Sequence, residues 1–149
     1  MNLLRWSVVG LILLTCAAHA QRTGRILISA SRAVATSDGM VLTLIITNDN
    51  SYRVRLALLA HPTAVTSTGH VLGTMDVSGI YEAPTMVDAG NTVTVIANFR
   101  HRPRAAFCSL DFAMPVLVLQ EHQVEERITL GLTNIAVAGG CPPAISAGQ

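Results

Sequence analysis

Apolar and polar positions alternate with a period of two along most of this chain beyond its first twenty residues. The clearest stretch runs from Gly39 to Ala60. Leu42, Leu44 and Ile46 interleave with Val41, Thr43, Ile45 and Thr47; after Asn48-Asp49-Asn50-Ser51, Val54, Leu56 and Leu58 interleave with Arg53, Arg55 and Ala57. A period of two places alternate side chains on opposite faces of a strand, and four turn formers between two such runs predict a hairpin. Its aliphatic face, carrying Leu42, Leu44, Ile46, Val54, Leu56 and Leu58, is then one wall of a core.

The same period recurs in the rest of the chain. Ile26, Ile28 and Ala30 alternate with Leu27, Ser29 and Ser31 in a first strand. His61-Pro62 ends the second arm of the hairpin, because proline lacks the donor a central strand needs. Thr63–Thr66 and Val71–Met75 flank Ser67-Thr68-Gly69-His70 as a second, smaller hairpin. Asp76–Asp88 is irregular and reads as a long connection from one sheet to the other, pinned to the core by Ile80 and Tyr81. Val93, Val95, Ala97 and Phe99 form one face of a strand over Thr92–Phe99. Cys108, Leu110 and Phe112 alternate over Phe107–Phe112, Pro115 interrupts, and Val116–Leu119 continues as an apolar run, so a bulge or an edge position is expected near Pro115. Ile128, Leu130 and Leu132 alternate over Arg127–Asn134, and residues 144–149 are expected to fray. No helical period is sustained beyond the leader. The fold class is all-β, an antiparallel sandwich of about seven strands.

The first twenty residues differ. Arg5, the apolar run Val8–Leu14 and the small-x-small site Ala18-His19-Ala20 have the layout of a secretory signal peptide. Residues 1–20 are therefore expected to be removed and 21–149 to form one domain, with an ordered core over about 25–141 and no transmembrane segment in the mature chain. An uncleaved anchor is one alternative. A lipoprotein anchored through Cys16 is another, although Thr15 is a poor fit to the small residue usually found there. Beyond residue 20, nine arginines balance nine acids, so no global field recruits nucleic acid. The chain contains no lysine; arginine alone with abundant Ala, Val and Leu is the composition of a high-GC bacterial genome, which places an exported product in the periplasm or beyond. With Cys16 removed, Cys108 and Cys141 remain, and an oxidising compartment predicts a disulfide between them; two buried thiols are the alternative.

Candidate chemistry is sparse. Ser78 before Gly79 lacks a nucleophile elbow. His61, His70, His101 and His122 have no metal-pair spacing and fall in turns or loops. Glu121, Glu125 and Glu126 share one polar connection and read as solvated, not as a catalytic pair. Arg100, His101, Arg102 and Arg104 make a basic loop suited to an anionic group, either a lipid phosphate, an acidic glycan or an acidic patch on a partner; a solubilising loop is the plainer reading. Too few aromatics are present to stack single-stranded nucleic acid. No catalytic residue, metal site or cofactor is expected, and the chain is not read as an enzyme.

Leu44-Ile45-Ile46-Thr47-Asn48, Val77-Ser78-Gly79-Ile80, Ala89-Gly90 ahead of Thr92-Val93-Thr94-Val95, and Leu132-Thr133-Asn134-Ile135 resemble the small immunoglobulin-like domains of unknown function in bacterial exported proteins. The resemblance spans roughly residues 25–137; those domains often carry Pro-Gly where this chain has Ala89-Gly90. It implies an immunoglobulin-like sandwich with no catalytic residues. A periplasmic chaperone of surface fibres is a looser likeness, since such chaperones use two domains and the mature chain has the length of one. The expected function is an exported, periplasmic or secreted, non-enzymatic binding or protein-interaction module, partnered by another envelope protein or an anionic surface group. The alternative is a structural subunit of an envelope assembly joined by edge-strand pairing.

Overall fold

A computed structural model of the chain describes residues 22–23, 25–100, 107–120 and 125–141. The described residues form strands only, with no helix: β1 (Arg22–Thr23), β2 (Ile26–Ala35), β3 (Met40–Asn48), β4 (Val54–Leu58), β5 (Thr63–Thr66), β6 (Val71–Ser78), β7 (Thr85–Val87), β8 (Thr92–Arg100), β9 (Ser109–Gln120) and β10 (Glu126–Ala136). One sheet runs β1–β2–β3–β8–β6 and the other β10–β9–β4/β5, with β7 beside β4. All strand pairings are antiparallel. β4 and β5 lie end to end along the same side of β9, so seven principal strand positions result: β2, β3, β8 and β6 against β10, β9 and the β4–β5 line. In chain order this is the four-plus-three arrangement of an immunoglobulin-like sandwich.

The stretch Gly39–Ala60 is the main correction to the sequence reading. β3 pairs with β2 and β8, whereas β4 pairs with β7 and β9. The turn is an arch between sheets, not a hairpin within one. Leu42, Leu44 and Ile46 therefore face Val54 and Leu56 across the core instead of standing beside them, and Leu58 packs half-buried at its margin. The period of two is identical in both arrangements, because each strand has one inward face. What distinguishes the arch is Asn48, which is fully buried. Its Nδ2 donates to the carbonyls of Tyr52 (2.8 Å), Val87 (3.0 Å) and Asp88 (3.2 Å), and its Oδ1 accepts from the backbone N–H (3.1 Å) and Nδ2 (2.8 Å) of Asn50. One amide thus ties the arch to the end of β7 and satisfies backbone groups that no ladder reaches.

The core fills the gap between the inward faces. Phe99 from β8 meets Phe112 from β9 edge to face, with ring centroids 6.3 Å apart and planes at 87°, the geometry aromatic quadrupoles favour. β5 and β6 form the expected smaller hairpin, with Ala64 opposite Leu72 and Val65 opposite Val71. β6 then leaves β5 for β8, passing from one sheet to the other within one strand, and it runs to Ser78, further than expected. Gly79 (φ 93°) turns the chain there, and a side chain at this position would collide with the Thr94 carbonyl oxygen. The crossing segment is pinned by buried Ile80, as expected. Tyr81, by contrast, is exposed and contributes only its carbonyl, which accepts from the Leu58 N–H at 2.7 Å.

Pro115 makes neither a bulge nor an edge in β9, which continues through it between two neighbours. The Pro115 carbonyl accepts from the Leu59 N–H at 3.0 Å. A residue's N–H and C=O point to the same side of a strand, so the missing proline donor faces the break between β4 and β5, where no ladder runs. The bulge lies instead in β10, between Leu132 and Ile135. There Asn134 takes φ 55° and its N–H donates to Asp111 Oδ1 at 2.8 Å. The extra residue keeps both Leu132 and Ile135 inward. Beyond β10, Ala138 bonds in parallel with the end of β2 (Ala35 N–H to Ala138 carbonyl, Ala138 N–H to Ala33 carbonyl, both 2.9 Å), closing one end of the gap between the sheets.

Candidate interaction face

Residues opposite one another in an antiparallel ladder share a face, so the registers map the outward side of β10, β9 and β4–β5. Met86, Arg55 and Leu119 form one row. Ala57, Leu117 and Arg127 form the next, and Pro115 pairs with Thr129. Thr63, Ala113 and Gly131 follow. Val71, Val65 and Asp111 form the last. Along β9 the outward positions Ala113, Pro115, Leu117 and Leu119 are all apolar and all half-buried. Leu59, Val65, Val71 and Met86 add exposed apolar surface beside them, up to 64% for Val71 and 61% for Met86. A sheet facing water would show polar residues along its central strand; here four successive outward positions of β9 are apolar, flanked by Arg55, Arg127, Thr63 and Thr129 and ending at Asp111.

The two ends of the column differ in charge. At the Ala113 end, Gly131 and Ala113 contribute almost no side chain, leaving a shallow groove of about 270 Å³ walled by Thr63, Val65, Thr129 and Thr133, with the exposed Asp111 carboxylate at its rim. At the Leu119 end, Arg53, Arg55, Met86 and Leu119 line a second depression of about 220 Å³, and Arg127 lies beside Leu117 across the ladder. Neither Arg55 nor Arg127 has an ion-pair partner among the described residues, whereas their neighbour Arg53 pairs through Nε with Asp88.

The residues singled out from the sequence fall elsewhere. Arg100 is exposed at the end of β8, opposite Gly73 of β6; His101, Arg102 and Arg104 lie outside the described residues, as do Cys16, Glu121, His122 and the leader. His61 and His70 are exposed at separate bends, Ser78 is half-buried beside Gly79, and Glu125 and Glu126 are exposed. Among the described residues no group of three or more His, Cys, Asp or Glu could hold a metal ion, and no helix is long and apolar enough to cross a membrane. Cys108, just before β9, and Cys141, past β10, come within disulfide distance with Cα atoms 4.9 Å apart. The apolar face is not apparent from charge or motif in the sequence. Its signal was present in Ala113-Met114-Pro115-Val116-Leu117-Val118-Leu119, where alternation stops and both faces become apolar.

No family model matches the chain, and no curated protein matches it. Solved structures with similar coordinates include the ASH/PapD-like domain of human CEP192 (PapD-like domain 7), at 17% identity over 90% of this chain and 98% of that one, TM-score 0.43. The periplasmic chaperone SfaE matches at 12% identity over 83% of this chain and 63% of its own, TM-score 0.42. The E. coli chaperone DraB matches at 13% identity over 81% and 56%, TM-score 0.43. The chain thus spans about six tenths of the length of either chaperone. Similarity at this level is too distant to transfer a partner or a role.

Proposed function

We propose that this chain is an exported, non-enzymatic interaction module of a bacterial cell envelope that docks protein on the outward face of β10, β9 and β4–β5. The observation that carries this reading is the half-buried apolar column of β9, whose Leu117 and Leu119 are flanked by Arg55 and Arg127. Water-facing strands gain nothing from Leu117 and Leu119, whereas interface centres are rich in apolar side chains with methionine and arginine among them. The leader pattern and the juxtaposed Cys108 and Cys141 support an oxidising compartment outside the cytoplasm. In envelope extract prepared after chemical crosslinking in the cell, the wild-type protein is expected to migrate above its own mass. A Leu117→Asp variant should return to the monomer position, while Thr94→Asp, on the outward face of the other sheet, should not. Equal behaviour of the two variants would remove the reading.

A second reading, assembly through edge pairing, draws on β10. Its segment Ile128–Thr133 carries no charge or proline, and among the described residues it pairs only with β9, which leaves a long edge open to an added strand. A proline at Thr129 that abolished the larger species while Leu117→Asp preserved it would favour this reading. The basic segment Arg100, His101, Arg102 and Arg104 is proposed as a separate contact to an anionic surface group. Replacing its three arginines by serine is expected to weaken binding to vesicles of anionic phospholipid at low salt.

A further inference from the structure

The docking face is self-complementary, and we infer that its occupant is a second copy of this chain, packed face to face about a two-fold axis that crosses β9 above Pro115. The inference rests on the reading that this face docks protein, and it names the partner. An axis in the plane of the contact and perpendicular to β9 reverses strand direction. It lays residue 119 of one copy over residue 111 of the other, and residue 117 over residue 113. The shapes then match. Leu117, a long apolar side chain of the column, enters the groove over Ala113 and Gly131, which carry little or no side chain.

Charge matches as well. Asp111 of one copy comes over Leu119 of the other, which Arg55 flanks across the ladder and Arg127 flanks one row away. Both guanidiniums lack an ion-pair partner among the described residues, and both can reach a carboxylate placed there, so each contact occurs twice. An axis parallel to β9 would instead bring the arginines of the two copies together, which like-charge repulsion disfavours. The column is about 30 Å long and three strands wide, which gives on the order of 1,000 Å² buried in total at sheet spacings. That lies at the lower limit for a specific interface, so the dimer is weak and concentration-dependent.

Sedimentation equilibrium of the purified full-length exported protein, with the cysteines oxidised, tests this. Wild type is expected to pass from monomer to dimer as concentration rises from about 1 μM to about 1 mM. Ala113→Leu fills the groove and Leu117→Ala removes what enters it, so each should raise the dissociation constant at least about tenfold. The double variant Ala113→Leu/Leu117→Ala exchanges bump and groove on both copies and should return to within about threefold of wild type. Asp111→Asn keeps the oxygen that accepts from Asn134 and loses only the charge, so it should weaken the dimer more at low salt than at high salt. Circular dichroism of each variant confirms folding. A protein that stays monomeric throughout this range overturns the inference, and so does a double variant no better than the singles. If a monomeric wild type still bound another protein through Leu117, the docking face would stand and its occupant would be different.

Discussion

Asn48 does at the scale of one residue what the alternating pattern cannot: it decides which sheet the following strand joins. Its amide serves three carbonyls and the backbone and side chain of Asn50, with the bonds to Val87 and Asn50 buried. Replacing it by alanine removes the partner of the buried Val87 carbonyl and of the buried Asn50 groups, at a cost of about 1–3 kcal/mol. Urea unfolding at unchanged m-value should show this loss, and a change under about 1 kcal/mol would contradict the role given to Asn48. Gly79 and Gly90 separate two effects that glycine usually combines. Both have positive φ, at 93° and 72°, but only at Gly79 would a side chain meet backbone, and nothing lies within 4 Å of the same position at Gly90. Gly90→Ala should cost about 1 kcal/mol. Gly79→Ala should cost at least about 2 kcal/mol more, because Thr94 lies in a paired strand and cannot retreat. Equal melting temperatures of the two variants would contradict the close approach.

At the scale of elements, Pro115 and Leu117 occupy equivalent sides of β9 with opposite consequences. The donor absent at 115 faces the β4–β5 break, whereas the N–H of 117 faces β4 at its pairing with Ala57. Pro115→Val should change stability by less than about 1 kcal/mol, and Leu117→Pro should cost about 2–3 kcal/mol through the lost ladder bond. The reverse order in chemical denaturation would refute the assigned register. Cys108 and Cys141 lie within disulfide distance, and a bridge between them would tie the start of β9 to the chain beyond β10. Closing a loop with a sequence separation of 33 is worth about 3–4 kcal/mol on the chain-entropy estimate. Unfolding with and without reductant should differ by that amount, and coincident curves would show that no bridge forms. The strands themselves were legible from the period of two, as at Thr92–Phe99 and Ile26–Ala30. The sheet that each strand joins was not, because a hairpin and an arch present the same inward residues. The β10 bulge was also hidden, since Asn134 reads as an ordinary polar position until its N–H is seen on Asp111.

At the scale of the whole molecule, seven strand positions and one continuous core account for nearly all the buried aliphatic residues. The face along Ala113, Pro115, Leu117 and Leu119 is apolar surface that this core does not use. The sequence drew attention to the basic loop from Arg100 because charge clusters are visible without a fold. The β9 face was harder to see, because its members come from β4, β5, β6, β7, β9 and β10 and meet only when the second sheet assembles. The most direct test is in-cell photo-crosslinking, with a photoreactive residue at Leu117 on the docking face or at Thr94 on the outward face of the other sheet. A defined covalent protein adduct from position 117 and none from position 94 is the predicted result. Adducts from position 94 alone, or from neither position, would contradict a docking role for the β9 face.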